Sequence, residues 1–127
     1  KRGVTMNIKE SGEMYLEAIY VLNKKTGNVR SIDICDYLGY SKPSVSRAMS
    51  LLKNGGYVIM DTEGFLSLTD LGVEIAEKIY NRHTTLTDLL VKLGVTPETA
   101  AQDACKMEHI ISDETFNAIK RHIEKNK

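Results

Sequence analysis

The sequence predicts a mainly α-helical fold, a winged helix-turn-helix followed by a helical second segment, on three observations. Two short stretches of helical apolar spacing are joined through Gly39-Tyr40-Ser41. After Gly55-Gly56 the period changes to strand-like, with turn residues between two short apolar runs. From Asp70 onward helical spacing returns and continues to the C-terminus.

Taken in order, Met14, Tyr15, Ala18, Ile19 and Leu22 recur at helical spacing from Glu10 to about Lys24, and Gly27-Asn28 breaks the pattern. Ser31 is expected to cap a short helix, Ile32 to Leu38, with Ile34, Cys35 and Leu38 as its apolar stripe. Gly39 ends it where a left-handed residue is needed. Ser41 caps the next helix, Lys42 to about Lys53, with Pro43 in the first turn, where a missing N–H costs nothing. Val45, Ala48, Met49 and Leu52 face inward. Tyr57–Met60 and Phe65–Leu68 are the strands of a hairpin around Asp61-Thr62-Glu63-Gly64. Thr69 or Asp70 caps a long fourth helix carrying Leu71, Ile75, Ile79, Leu86, Leu89, Leu90 and Leu93, closed by Gly94. Thr96-Pro97-Glu98 opens a fifth helix that is expected to hold Ala100, Ala104, Cys105 and the Glu108-His109 pair. Ser112-Asp113-Glu114 opens the last, through Phe116, Ile119 and Ile123. The boundary is expected after Gly72, giving segments 1–72 and 73–127.

At 127 residues and 42% hydrophobic, the chain can bury one ordinary core or two small ones. Its net charge of zero hides a split. Residues 1–60 carry nine Lys/Arg against five Asp/Glu, and residues 61–127 carry eight against twelve. A basic half joined to an acidic half suggests that one part binds a polyanion and the other stays off it. No apolar run approaches the roughly eighteen residues of a membrane span, and no charged-then-apolar leader opens the chain. A soluble, cytoplasmic protein with no membrane partner is expected. Cys35 and Cys105 make no disulfide framework, which suits a reducing compartment.

The helix-turn-helix has the chemistry to read DNA. Lys42, Ser44, Ser46 and Arg47 lie toward the start of the second helix of the motif, where such helices meet base edges and phosphates. Short serine hydroxyls, including that of Ser41, permit close approach, and the forked Arg47 suits guanine or a phosphate. Pro43 can pack on a thymine methyl, while Arg30 and Lys53 suit phosphate contacts. The wing tip Thr62-Glu63-Gly64 lacks Lys and Arg, so it reads as a plain turn. A three-helix domain with an ordinary polar face is the competing reading. The order of features, from the glycine turn through the Ser-capped helix to the hairpin, favours the winged helix.

In the second segment, Cys105, Glu108 and His109 stand at i, i+3 and i+4, which share one face of a helix. Thiolate, carboxylate and imidazole converging from a rigid support form a transition-metal donor set. The bland alternative is a buried thiol beside an exposed Glu-His pair.

With these residues in place, the chain resembles the metal-dependent repressors of the diphtheria toxin repressor type, with their iron-responsive and manganese-responsive branches. The resemblance is carried by the runs Glu13–Tyr20, Ser41–Ser46 and Leu68–Gly72, by Arg82-His83, and above all by Ala104–Glu114, and it extends from about residue 8 to the C-terminus. It implies a homodimeric repressor of double-stranded operator DNA, with an N-terminal DNA-binding domain, a helical dimerisation domain, and Fe(II) or Mn(II) as the activating ion. By resemblance to the iron branch, Met14 joins Cys105, Glu108 and His109 as ligands. By resemblance to the manganese branch, Glu17 and His83 supply a further pair, although that branch has Asp at Met14 and Glu at Cys105. Thr87 and Ala101 stand where the iron branch's second site has Glu and His, and the chain ends before a third domain, so that second site is expected to be lost. His122 is left as a surface residue.

Thioether and thiolate donors shift preference from Mn(II) toward Fe(II), with Zn, Co or Ni as substitutes in vitro. Two rivals remain. A small metal-dependent hydrolase is disfavoured because no His-Glu-x-x-His run and no separate general base stand near the cluster. A winged-helix regulator with a different effector would leave the cluster vestigial.

Overall fold

The computed structural model describes residues 10–126, which form six helices and one two-stranded sheet. The helices are α1 (Glu10–Thr26), α2 (Ser31–Leu38), α3 (Lys42–Asn54), α4 (Asp70–Lys92), α5 (Pro97–Met107) and α6 (Asp113–Lys125). The strands β1 (Val58–Met60) and β2 (Leu66–Leu68) pair antiparallel, with Val58 opposite Leu68 and Met60 opposite Leu66. The chain divides into two compact units between Glu77 and Lys78, within α4.

The first unit is a winged helix-turn-helix. Leu16 and Ile19 of α1, Ile34 of α2, and Val45, Met49 and Leu52 of α3 close around Val58 and Leu66 of the hairpin to make its core. Burying each such side chain contributes roughly 1.5–3 kcal/mol. Helix α2 starts one residue earlier than expected, because Arg30, not Ser31, is its cap residue. The Asp33 carboxylate accepts from the Arg30 backbone N–H at 2.8 Å, the bond by which a third helical residue reaches back to the cap residue. Gly39 ends α2 at φ 75°, a left-handed conformation in which a side chain would be strained. Ser41 caps α3 as expected, its hydroxyl accepting from the Ser44 N–H at 3.3 Å.

The hairpin turn is organised by Asp61, whose Oδ1 accepts from the N–H groups of Glu63 and Phe65, both at 2.9 Å. Val29 adds a single antiparallel bridge to Leu66, which ties the segment before α2 to the wing. Of the two candidate caps of α4, Thr69 is the one used: its Oγ1 accepts from the Gly72 N–H at 3.1 Å and donates to the Gly56 carbonyl at 2.7 Å. A Cβ on Gly72 would fall 2.2 Å from the Tyr57 carbonyl oxygen, so the close approach of α4 to the wing requires glycine there.

In the second unit, Ile79 and Leu86 of α4 and Ala100 and Ala104 of α5 are buried. Leu93, expected as the last apolar position of the fourth helix, lies one residue past the end of α4 and is 71% exposed, so it is not part of this core. Ser112 caps α6, accepting from the Thr115 N–H at 3.1 Å. None of the described residues of α6 is fully buried.

Candidate metal centre and nucleic-acid interface

Helix α5 begins with Pro97 and stops at Met107. Glu108 is its C-cap residue, still near helical (φ −63°, ψ −22°) with its N–H on the Ala104 carbonyl at 2.9 Å. His109 follows in the turn, so the shared helical face expected for Cys105, Glu108 and His109 is corrected to one last helical turn plus a cap. The turn preserves the convergence. A ligand atom from each of Cys105, Glu108 and His109 lies within 4.8 Å of the others. Neither Cys35 nor Cys105 is in a disulfide.

Glu108 is the centre of this arrangement. It is fully buried, and its Oε2 is hydrogen-bonded to Nδ1 of His83 at 3.0 Å. Oε1 approaches Nε2 of His109 to 3.3 Å, yet among the described residues it accepts no hydrogen bond. The side chains of Glu108 and His109 are both enclosed from solvent. A buried carboxylate needs compensating charge or hydrogen bonds. A divalent cation held by the Cys105 thiolate, the Glu108 carboxylate and the His109 imidazole would supply that compensation, and the donor set fits a transition metal. His83 bonds the other carboxylate oxygen in the way that outer partners of metal ligands commonly do, or serves as a ligand itself.

Arg82, immediately before His83, is also buried. Its Nη1 donates to the carbonyls of Glu108 at 3.2 Å and Ile111 at 2.9 Å. Its Nη2 makes an ion pair with Asp113, and its guanidinium lies 5.2 Å from the Phe116 ring centre. Asp113 also pairs with Lys78 at 3.1 Å, and the Lys78 ammonium, aided by Arg82, holds its carboxyl below the ordinary 3.8. In the sequence, Arg82 stands out only as part of the Arg82-His83 pair that carries the family resemblance. The signal was there: with Ile79 and Leu86 it occupies the i, i+3, i+7 stripe of α4, and an arginine in a buried stripe has a partner.

Met14 and Glu17 lie on α1, three residues apart and half-buried. The Tyr40 hydroxyl, in the turn before α3, is 3.9 Å from the Met14 sulfur. The Tyr40 ring meets Tyr15 edge-on at 5.9 Å, and burial pushes the Tyr15 hydroxyl pKa up.

Among the residues expected at DNA, Arg30, Lys42, Pro43, Ser46, Arg47 and Lys53 are exposed. Ser44 is half-buried, and the Ser41 hydroxyl is committed to the α3 cap and to the Ser44 hydroxyl at 3.0 Å. The Arg30 guanidinium lies 4.3 Å from the centre of the Phe65 ring, which follows the hairpin turn just before β2, a cation–π contact. The remaining face of α3 displays a run of hydroxyls with Arg47, a surface suited to close approach to a polyanion. No helix among the described residues is long and apolar enough to cross a membrane.

Comparison with known proteins bears on both surfaces. Residues 7–64 match the N-terminal DNA binding domain of the iron dependent repressors, and residues 69–127 match their metal binding and dimerisation domain. An HTH-type transcriptional regulator of Methanocaldococcus jannaschii is 34% identical over 122 residues, 94% of this chain and 98% of the relative. The transcriptional regulator MntR of Escherichia coli is 34% identical over 112 residues, 88% of this chain and 72% of the relative. A solved manganese-dependent transcriptional repressor in complex with manganese superposes with a TM-score of 0.82 at 25% identity, over 89% of this chain and 52% of that one. The chain thus spans about half the length of that solved repressor.

Proposed function

We propose that this chain, which belongs to the iron dependent repressor family and is therefore a metal-dependent transcriptional repressor and not an enzyme, gathers Cys105, Glu108 and His109 as the core of its metal site. The observation that carries this is the buried Glu108 carboxylate, with one oxygen facing His109 at 3.3 Å and accepting no hydrogen bond among the described residues. Met14 and Glu17 join the ligand set on the family resemblance, and His83 joins on that resemblance and on its bond to Glu108. When bound, a divalent ion supplies the positive charge that the buried donors lack and fixes their mutual geometry.

The α1 ligands belong to the DNA-binding half of the sequence, and Cys105, Glu108 and His109 to the other half. Donors from both halves serving one site make metal binding and operator binding thermodynamically linked, each strengthening the other by the same factor. Arg47, Ser46 and Lys42 on α3 contact the duplex, with Arg30 and Lys53 on phosphates. The protein acts as a cytoplasmic homodimer, which matches a two-fold operator.

The choice of ion rests on the donors. Cys105, with Met14, brings sulfur that favours Fe(II) over Mn(II). Kinship to MntR and the oxygen and nitrogen donors Glu17, His83 and Glu108 make Mn(II) the second candidate, with Zn, Co and Ni binding in vitro. Two substitutions test the division of labour in a DNA-binding assay run with and without metal. His109→Ala should fold normally and lose metal-stimulated binding, while Arg47→Ala should lose binding and keep metal uptake. An unchanged metal response in His109→Ala refutes the site.

A further inference from the structure

We propose that Arg82 is a positioning residue for the metal site, fixing the turn that presents Glu108 and His109. This rests on the reading of Cys105, Glu108 and His109 as ligands. Helix α5 has ended at Met107, so the carbonyls beyond it have no intrahelical partners. Arg82 takes two of them, those of Glu108 and Ile111, on a single nitrogen. His109 lies between the two gripped carbonyls, so the backbone that aims its imidazole is held from both sides. The next residue of α4, His83, bonds the Glu108 side chain at 3.0 Å. Consecutive α4 residues therefore hold Glu108 by its backbone and by its carboxylate.

The fork is itself held. Its second nitrogen pairs with Asp113 at the start of α6, and the guanidinium packs near the Phe116 ring. A rigid planar fork satisfies several acceptors at fixed angles, which a lysine ammonium does not. Stability alone does not explain a guanidinium in the buried stripe of α4. Replacing a buried charged group and its partner with apolar side chains of similar volume is often neutral or stabilising. What the arginine supplies is a defined path for residues 108–111, and metal sites demand ligands placed to within about half an ångström.

The test is titration of the purified full chain with Co(II), followed by the thiolate-to-cobalt absorption band and the visible ligand-field bands. Melting is recorded in parallel in chelator. Wild type should bind Co(II) with the thiolate band present. Arg82→Lys and Arg82→Gln should bind Co(II) at least about tenfold more weakly, with shifted or weakened visible bands. Asp113→Asn, which loosens the fork without removing it, should move both readouts the same way by less. Should Arg82→Gln fail to fold, the other two variants decide. Wild-type affinity and bands in the folded variants, or a lowered melting point in chelator as their only defect, overturn the proposal. Absence of the thiolate band in wild type instead overturns the ligand assignment beneath it.

Discussion

Replacing Glu108 with glutamine separates a ligand from a structural buried acid, because the two roles predict opposite thermal behaviour. The carboxylate is fully buried, and one oxygen is bonded to His83 at 3.0 Å. Glutamine has nearly the same volume and keeps an acceptor for that bond. It removes the charge whose transfer from water costs several kcal/mol when it is incompletely compensated. A hydrogen bond to a charged group returns about 1.5–3 kcal/mol, so in chelator Glu108→Gln should match wild type or exceed it by up to about 1 kcal/mol. In metal the order reverses. At a free ion concentration one hundred times Kd, binding stabilises wild type by about 2.7 kcal/mol. At roughly 4 °C per kcal/mol for a chain of this size, that is about 11 °C in Tm. Glu108→Gln should lose most of this rise. The assay is differential scanning calorimetry of both proteins in chelator and in Mn(II). Retention of more than half the metal-induced shift, or a loss above about 2 kcal/mol in chelator, would show that Glu108 holds the fold and not an ion.

Cys105→Ser should change selectivity more than occupancy. Exchanging a soft thiolate for a hydroxyl should weaken Zn(II) and Co(II) by at least about tenfold and Mn(II) by much less, read by competition with a chromogenic chelator; equal losses for all ions would place Cys105 outside the ligand shell. A second prediction concerns acid. The Asp113 carboxyl is held below its ordinary 3.8 by Lys78 and Arg82, so its ionised form stabilises the folded state. That contribution is fully present above 3.8 and is lost as pH falls through the lower folded value. Tm in chelator should drop on acidification through this window, and Asp113→Asn should flatten the drop; parallel profiles for the two proteins would contradict it.

Most of the fold was legible because local signals agreed with the global arrangement. Glycines 39 and 94 both adopt positive φ at the helix ends where the sequence puts them. Ser41, Thr69 and Ser112 all cap by accepting a backbone N–H. The start of α2 lies one residue before the one that Ser31 signals, because the Asp33 carboxylate bonds the Arg30 N–H and makes Arg30 the cap residue, which residue type alone does not decide. The end of α5 was misplaced for a similar reason. Nothing between Ala104 and Ile111 is a glycine or proline, so helical spacing runs past the point where the chain turns. The metal cluster was visible because its three donors are close in sequence. The grip of Arg82 on Glu108 and Ile111 spans separations of 26 and 29 residues, which no short-range pattern reports.

The central claim is that metal and operator are linked through the residues named. Its most direct test is fluorescence anisotropy of a duplex selected from random sequence for binding in metal, measured in Fe(II) or Mn(II) and in excess chelator. The linkage predicts an affinity at least about tenfold higher in metal, a coupling of ~1.4 kcal/mol. Equal affinity in metal and in chelator would contradict it.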